Sequence, residues 1–411
     1  MHILVLNPGS SSIKFSMFAE DAGEFRSLAE GELGGIGGRS AKLEFRDPDG
    51  NDLSGKLGEV KTGSMEEAIG VVERAVSVAG LPPPDAVGYR VVHPGPHLRG
   101  HQRLTPEVLA ELRSAVPFAP LHDPEAIEIM EEMMRRFPGV PHFGCFDTVF
   151  HETMPEEATV YAVPAVVREQ GMRRYGFHGL SCESIVVQMR AAAGVEFPRA
   201  MLIAHLGSGC SVTACVDGKS VDTTMGLTPT GGVVMGTRPG DIDPGVVIFL
   251  MRRAGATVDS VEAMLNHESG LKALGGVNDM RELRKSAAQG DQRAELATRI
   301  FCRGLVRAMA GLIALHGADA IVFTGGIGEH DAVSRVEIAS GLARLGVDLD
   351  RGANQLERKE LGRAGGQTVH KISDEDSPVA VYVAPAEEDL MIARHVARMC
   401  RVSPRAESQS S

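Results

Sequence analysis

The sequence predicts an α/β protein made of two related lobes, and three observations carry that reading. Short apolar runs alternate along the chain with stretches of helical periodicity. A strand ending in a Gly/Ser turn occurs twice, with Gly9-Ser10 and Gly207-Ser208 separated by 198 residues, close to half the chain. At 411 residues the polypeptide is also too long for one core, since domains run to about 100–200 residues.

Taken in order, Ile3-Leu4-Val5-Leu6 reads as a strand, Asn7 to Ser12 as a turn and Ile13 to Phe18 as a second, alternating strand, which is a hairpin signal. Residues 105–116 open with Thr-Pro, an N-cap followed by proline at the first helical position. In 124–137 the apolar residues Ile127, Met130, Met133 and Met134 recur at helical spacing. The hairpin pattern returns at Met201-Leu202-Ile203-Ala204, the turn His205 to Ser211 and the alternating segment 212–216. A long helix is expected over 296–316, then the strand 320–323, the Gly-rich turn Thr324 to Glu329 and a further helix. The strand 379–383 and a last helix over 387–401 close the fold, and the polar tail 403–411 is expected to be disordered.

Composition excludes several function classes. The formal net charge of −12 repels a nucleic-acid backbone and an anionic membrane surface. Trp is absent, which disfavours stacking on bases or sugars. No apolar run approaches the ~18 residues of a membrane span, and no signal-peptide pattern precedes the first strand. Six scattered cysteines without a C-x-x-C pair read as reduced thiols of a cytoplasmic protein. The 48 glycines exceed the usual ~7%, a sign of tight turns and close backbone approach to a ligand.

The motifs fall into three sets. The first is Gly-rich: Asn7 to Lys14, His205-Leu206-Gly207-Ser208-Gly209 and Gly325-Gly326-Ile327-Gly328-Glu329. Each follows an apolar strand, and such turns let backbone N–H groups approach phosphate oxygens. The first is not a Walker A sequence and by itself reads more readily as a plain hairpin turn, and the other two are weak singly; three in one chain point to a nucleotide. The second is cationic: Arg90 at the end of a strand, Arg238 in Met235-Gly-Thr-Arg-Pro-Gly-Asp241, and His178 between Phe177 and Gly179. Glycine-framed arginines suit a reaction that brings a carboxylate and a phosphate together, because the carboxylate needs no general base while the anions need bidentate cations. The third is acidic: Asp147 among apolar neighbours, and the run Glu387-Glu388-Asp389. Mg²⁺ takes such hard oxygen ligands, although the acidic run also suits a helix N-terminus.

These segments together resemble the acetate kinase family, over 7–14, 89–93, 119–122, 146–151, 174–181, 205–209, 222–229, 235–245, 323–329 and 390–394. The resemblance implies a phosphotransferase with a carboxyl group as acceptor. It implies two duplicated actin-like ATPase (ribonuclease H-like) lobes with an interdomain active-site cleft, and a homodimer. The lobes are expected at 1–148 plus 384–402 and at 149–383. Mg²⁺, with Mn²⁺ as substitute, and ATP/ADP are the implied metal and co-substrate.

Carried over residue by residue, Asp147, His178, Arg238 and Arg90 are the implied catalytic set. Arg90, Val92, Leu121, Phe177 and Pro229 are implied to hold the acyl substrate. Lys14, His205, Leu206, Gly207, Ser208, Gly209, Asp279, Met280, Arg281, Gly326, Ile327, Gly328, Glu329 and His330 are implied to hold the nucleotide, and Asn7 and Glu388 the metal. Ser208 and His330 stand where the family commonly has Asn, and Asp123 likewise. Pro385-Ala386 replaces the family's Thr-Asn/Asp before the Glu pair, which leaves Glu387 as an alternative to Glu388. Propionate or butyrate phosphorylation, and an actin/Hsp70-like ATP-dependent binding module, are the alternative functions.

Overall fold

A computed structural model describes residues 1–9, 12–37, 41–58, 60, 62–118, 123–253, 255–355 and 368–402. Leu121 and the tail 403–411 therefore lie outside the described residues, as do Ser10 and Ser11. The chain divides into two compact units, Met1–Val149 with Glu387–Ser411, and Phe150–Ala386.

The first unit is built on strands β1 (His2–Gly9), β2 (Ser12–Asp21), β3 (Glu24–Gly34), β4 (Lys42–Arg46), β5 (Ala86–Val91), β6 (Gln102–Arg103) and β7 (His142–Phe146). They form one sheet in the order β4-β3-β2-β1-β5-β7-β6. β1 to β4 are an antiparallel meander, while β5 and β7 run parallel to β1 and β6 runs antiparallel to β7. In the second unit β8 (Ala200–Leu206), β9 (Cys210–Val216), β10 (Lys219–Thr223), β11 (Ala320–Thr324), β12 (His370–Lys371) and β13 (Ala380–Val383) order as β10-β9-β8-β11-β13-β12. With β4 set aside, strand order and sense match position by position. The recurrence of the Gly/Ser turn thus reflects a duplicated topology.

Helices cover both sheets. In the first unit α1 (Met65–Val78), α2 (Pro106–Ala115) and α3 (Asp123–Arg136) pack with Leu4, Leu6, Phe15 and Met17 in one buried cluster. Ser64 accepts from the Glu67 N–H and Thr105 from the Val108 N–H, so both α1 and α2 begin at capping side chains. In the second unit α4 (Gly179–Ala191) lies on β8, with Ile185, Val186 and Met189 among the buried residues. It is followed by α5 (Met280–Ala288), α6 (Gln292–His316), α7 (Gly325–His330) and α8 (Ala332–Leu342). The last helix, α9 (Glu388–Val402), packs against β1, β2 and β5 of the first unit. A side chain at Gly88 would meet Ile392 Cγ2 at 2.6 Å and Val396 Cγ2 at 2.7 Å, so glycine at this point of β5 lets α9 reach the sheet.

Three local readings are corrected. β8 runs on through Leu206, so His205 and Leu206 belong to the strand and the turn is confined to residues 207–209. The hairpin bonding carries β1 to Gly9 and starts β2 at Ser12, placing Lys14 directly across from Asn7 in the ladder. The Gly-rich segment after β11 is already helical at Gly325. In the first two cases backbone pairing outlasts the apolar run, because the ladder does not require apolar side chains at its ends.

Candidate active site

Strand register assembles the first group of site residues. In β1 and β2 Val5 pairs with Ser16 and Asn7 with Lys14, and Val5 pairs with Gly88 of β5. Side chains two apart share a face, so Asn7, Lys14, Ser16 and Arg90 lie on the face of the sheet that α9 covers. Arg90 pairs with Cys145 in β7, which puts Asp147, two residues on, in line with the same face. The parallel strands thus present Asn7, Arg90 and Asp147 at or just past their carboxyl ends, where α/β sheets bind ligands.

The geometry is that of a clamped guanidinium. Arg90 Nε donates to both Asp147 oxygens at 3.1 and 3.0 Å, and Nη2 donates to Oδ2 at 2.6 Å. Its remaining edge, Nη1, donates to Asn7 Oδ1 at 3.3 Å and lies 3.5 Å from Glu388 Oε2. The Asp147 side chain is 1% exposed, against 19% for Arg90 and 15% for Glu388. Burial opposes charge on Arg90, but Asp147 and Glu388 more than offset it and raise the guanidinium above its ordinary value. Glu388, of the pair Glu387 and Glu388, thus stands beside Arg90. Lys14 is more exposed and lies 3.9 Å from Glu32, and Val92 is half-buried just past the end of β5.

The second unit assembles the other group. His178 sits in the left-handed conformation (φ 60°) as the residue before α4. Its Nδ1 bonds Ser211 Oγ at 3.0 Å, and its ring stacks on His205 with centroids 4.1 Å apart. His205 Nδ1 in turn bonds Ser181 Oγ at 2.8 Å. A side chain on Gly209 would meet His178 Nε2 at 3.1 Å and Arg238 Nη1 at 3.7 Å, so the turn, the imidazole and the guanidinium are immediate neighbours. Arg238 Nη1 donates to Pro229 O at 3.1 Å, and Pro229 is buried, as is Phe177.

The Arg238 loop is held by backbone bonds. Met235 N–H donates to Arg238 O, while Ser269, Leu271 and Lys272 N–H groups donate to the carbonyls of Thr237, Met235 and Gly236. Gly270 makes this possible: its φ is +61°, and a Cβ there would stand 2.2 Å from Met235 O.

The residues expected to hold the nucleotide divide. Gly207 N–H donates to Gly209 O at 3.0 Å, closing the turn, and the Ser208 carbonyl accepts from Gly236 N–H. Leu206 is fully buried, so only its backbone can serve a ligand. Asp279 caps α5 and its carboxylate binds the Arg281 side chain, which drives the acid down to about 2. Met280 is 4% exposed, so its side chain belongs to the core and its backbone is the part open to a ligand. In α7, Gly326 and His330 are exposed, Ile327 is half-buried and Gly328 is buried. Glu329 turns back, accepting from the N–H groups of Gly325 at 2.9 Å and Ala386 at 3.1 Å, so its carboxylate shapes the segment.

Sequence reasoning missed Arg335, which is 1% exposed and donates to the carbonyls of Gly328, Glu329 and Asn354 and to Asn354 Oδ1. Burial lowers it to about 10. It anchors the end of α7, and an arginine inside an otherwise apolar helix pattern was its available signal. Ser211 and Gly270 were also missed as supporting residues.

The acetokinase family model matches residues 2–394. The chain belongs to the acetokinase family. Among curated relatives, "Acetate kinase" of Deinococcus radiodurans is 44% identical over 97% of this chain and 98% of that protein. "Acetate kinase" of Syntrophobacter fumaroxidans is 39% identical over 98% and 97%. Among solved structures, acetate kinase from Porphyromonas gingivalis superposes with a TM-score of 0.82 at 32% identity, covering 97% of this chain and 99% of that one. A propionate kinase from Francisella tularensis gives a TM-score of 0.87 at 34% identity with the same coverage. Membership in the acetokinase family places both units in the actin-like ATPase fold, in agreement with the duplicated sheet order. Among the described residues no helix is long and apolar enough to cross a membrane.

Proposed function

We propose that the protein transfers the γ-phosphoryl group of ATP to the carboxylate of acetate, reversibly, giving acetyl phosphate and ADP. A carboxylate oxygen attacks the γ-phosphorus in line as the bond to the β,γ-bridging oxygen breaks, and ADP leaves with that electron pair. The observation that carries the reading is the Arg90 fork held by a buried Asp147, with its second edge turned to Asn7 and Glu388. A pre-oriented guanidinium suits a carboxylate, and no general base is needed.

Asn7, Asp147 and Glu388 offer only hard oxygens, a donor set that fits Mg²⁺, and Mn²⁺ as its substitute. When bound, the ion supplies charge neutralisation for phosphate oxygens. Arg238 and His178, beside the turn 207–209, are assigned to the charge that develops on the moving phosphoryl group, and Ser211 holds the imidazole by its Nδ1. Phe177 and Pro229 are assigned, with Val92 and Leu121, to the acyl methyl. The turn 207–209, Asp279-Arg281 and 326–330 are assigned to the nucleotide.

Homodimer formation is part of the proposal. The helix Pro244–Met251 contains no charged residue and buries none of its side chains, with Phe249 63% exposed, the kind of apolar surface that marks an interaction site. Propionate is the second reading, favoured by the Francisella structure, since one methylene alters discrimination by only about 1–3 kcal/mol. Mg-ATP incubated with acetate, propionate, butyrate or glycerol, with hydroxylamine as trap, tests the reaction. Acyl hydroxamate from acetate above the others is expected; none from any acid contradicts the proposal.

A further inference from the structure

We infer that Ser16 and Asp389 form a positioning pair that sets Glu388 for the metal, an inference that rests on the assignment of Glu388 above. Ser16 lies inside β2 and is 7% exposed, an unusual place for a hydroxyl unless it has a partner. It donates to Asp389 Oδ2 at 2.5 Å, within the range of a charge-assisted O–H···O⁻ bond. Register puts Ser16 on the face that carries Asn7 and Arg90, opposite Val5, which pairs with Gly88 under α9. The bond therefore joins the first turn of α9 to the sheet at the same end as the Arg90 cluster.

Asp389 and Glu388 are consecutive on one helical turn. With Asp389 pinned to β2, the helix rotation is set and Glu388 projects toward Arg90. The rest of α9 is fixed independently. Ile392 and Val396 pack over Gly88, and at the far end Arg401 pairs with Glu20, also on β2. Removing the Ser16 hydroxyl thus frees the first turn while leaving the body of the helix docked. That distinguishes positioning from a general structural role.

The bond to Ser16 already commits the Asp389 side chain within the protein. Ser16 and Asp389 accordingly act through Glu388.

Mn²⁺ binding to the protein–ADP complex, followed by electron paramagnetic resonance of the free ion, tests the pair in the full-length protein. Ser16→Ala is expected to weaken Mn²⁺ about tenfold, the scale on which outer-shell partners act. Its melting temperature is expected to stay within about 3 °C, and its turnover at saturating metal within about twofold of the parent. Ser16→Thr, which keeps the hydroxyl, is expected to restore binding. If Glu388→Gln weakens Mn²⁺ but Ser16→Ala does not, the positioning role is overturned while the assignment of Glu388 stands. If Glu388→Gln itself binds Mn²⁺ like the parent, both fall.

Discussion

The two units share one frame and furnish it oppositely. In each, a helix N-terminus stands over the carboxyl ends of the parallel strands, α9 in the first and α4 in the second. The first unit fills that place with charge: Arg90 paired with Asp147 and Glu388 and bonded to the Asn7 amide, with Asp389 held by Ser16. The second fills it with imidazoles, hydroxyls and small residues: His178, His205, Ser181, Ser211 and the turn 207–209, with Arg238 alongside. A helix N-terminus carries partial positive charge. At α9 the protein's own carboxylates occupy it, which suits a cation; α4 has no acidic residue in its first turn and leaves the potential to an anion. Under the proposed function, the same geometry serves a metal-and-carboxylate end in one unit and a phosphoryl end in the other.

The sharpest way to break this comparison is at Arg238. Arg238→Ala is expected to lower kcat by ~10³ or more, the scale of an arginine contact in phosphoryl transfer, with the melting temperature essentially unchanged. Near-parental turnover in that variant removes the phosphoryl role of the second unit. Next is Gly270→Ala. It places a Cβ 2.2 Å from Met235 O at a positive φ, so a stability loss of ~3 kcal/mol is expected, measured by denaturant unfolding, together with failure to hold the Arg238 loop. A parental midpoint contradicts the account of that loop.

The smallest effect is at Glu329. Burial holds its carboxyl above the ordinary 4.5, against the pull of the Ala386 and Gly325 N–H groups. A raised folded value means that the folded state binds the proton more tightly, so this contribution to stability is complete below 4.5 and is lost as pH rises through the raised value. Glu329→Gln keeps an acceptor and removes that slope. It is expected to equal or exceed the parent by ~2–4 °C at pH 8, and a lower melting temperature at pH 8 than at pH 4 relative to the parent contradicts the assignment.

Much of this was legible in the sequence, and unevenly. The elements followed from periodicity and caps: Thr105-Pro106 marks the start of α2 because a side-chain acceptor and a missing N–H both suit a helix start. The Gly/Ser recurrence signalled duplication because both hairpins need the same turn chemistry. The convergence of Arg90, Asp147, Asn7 and Glu388 came from family motifs, since no periodicity links residues 381 positions apart. Met280 and Glu329 turn their side chains into the protein, which was not legible because a motif does not say which of its side chains point inward. Ser16 was unreadable for a related reason: its partner in α9 is remote in sequence, and a lone serine in a strand carries no signal.

The claim that the two units divide the chemistry is tested most directly by magnesium activation curves for Asp147→Asn and Arg238→Ala, measured side by side with acetate and ATP saturating. The account predicts that Asp147→Asn raises the half-saturating Mg²⁺ concentration about tenfold or more and lowers turnover with it. Arg238→Ala is predicted to leave that concentration within about twofold while kcat falls ~10³. An unchanged titration in Asp147→Asn, or equal shifts in both variants, would contradict it.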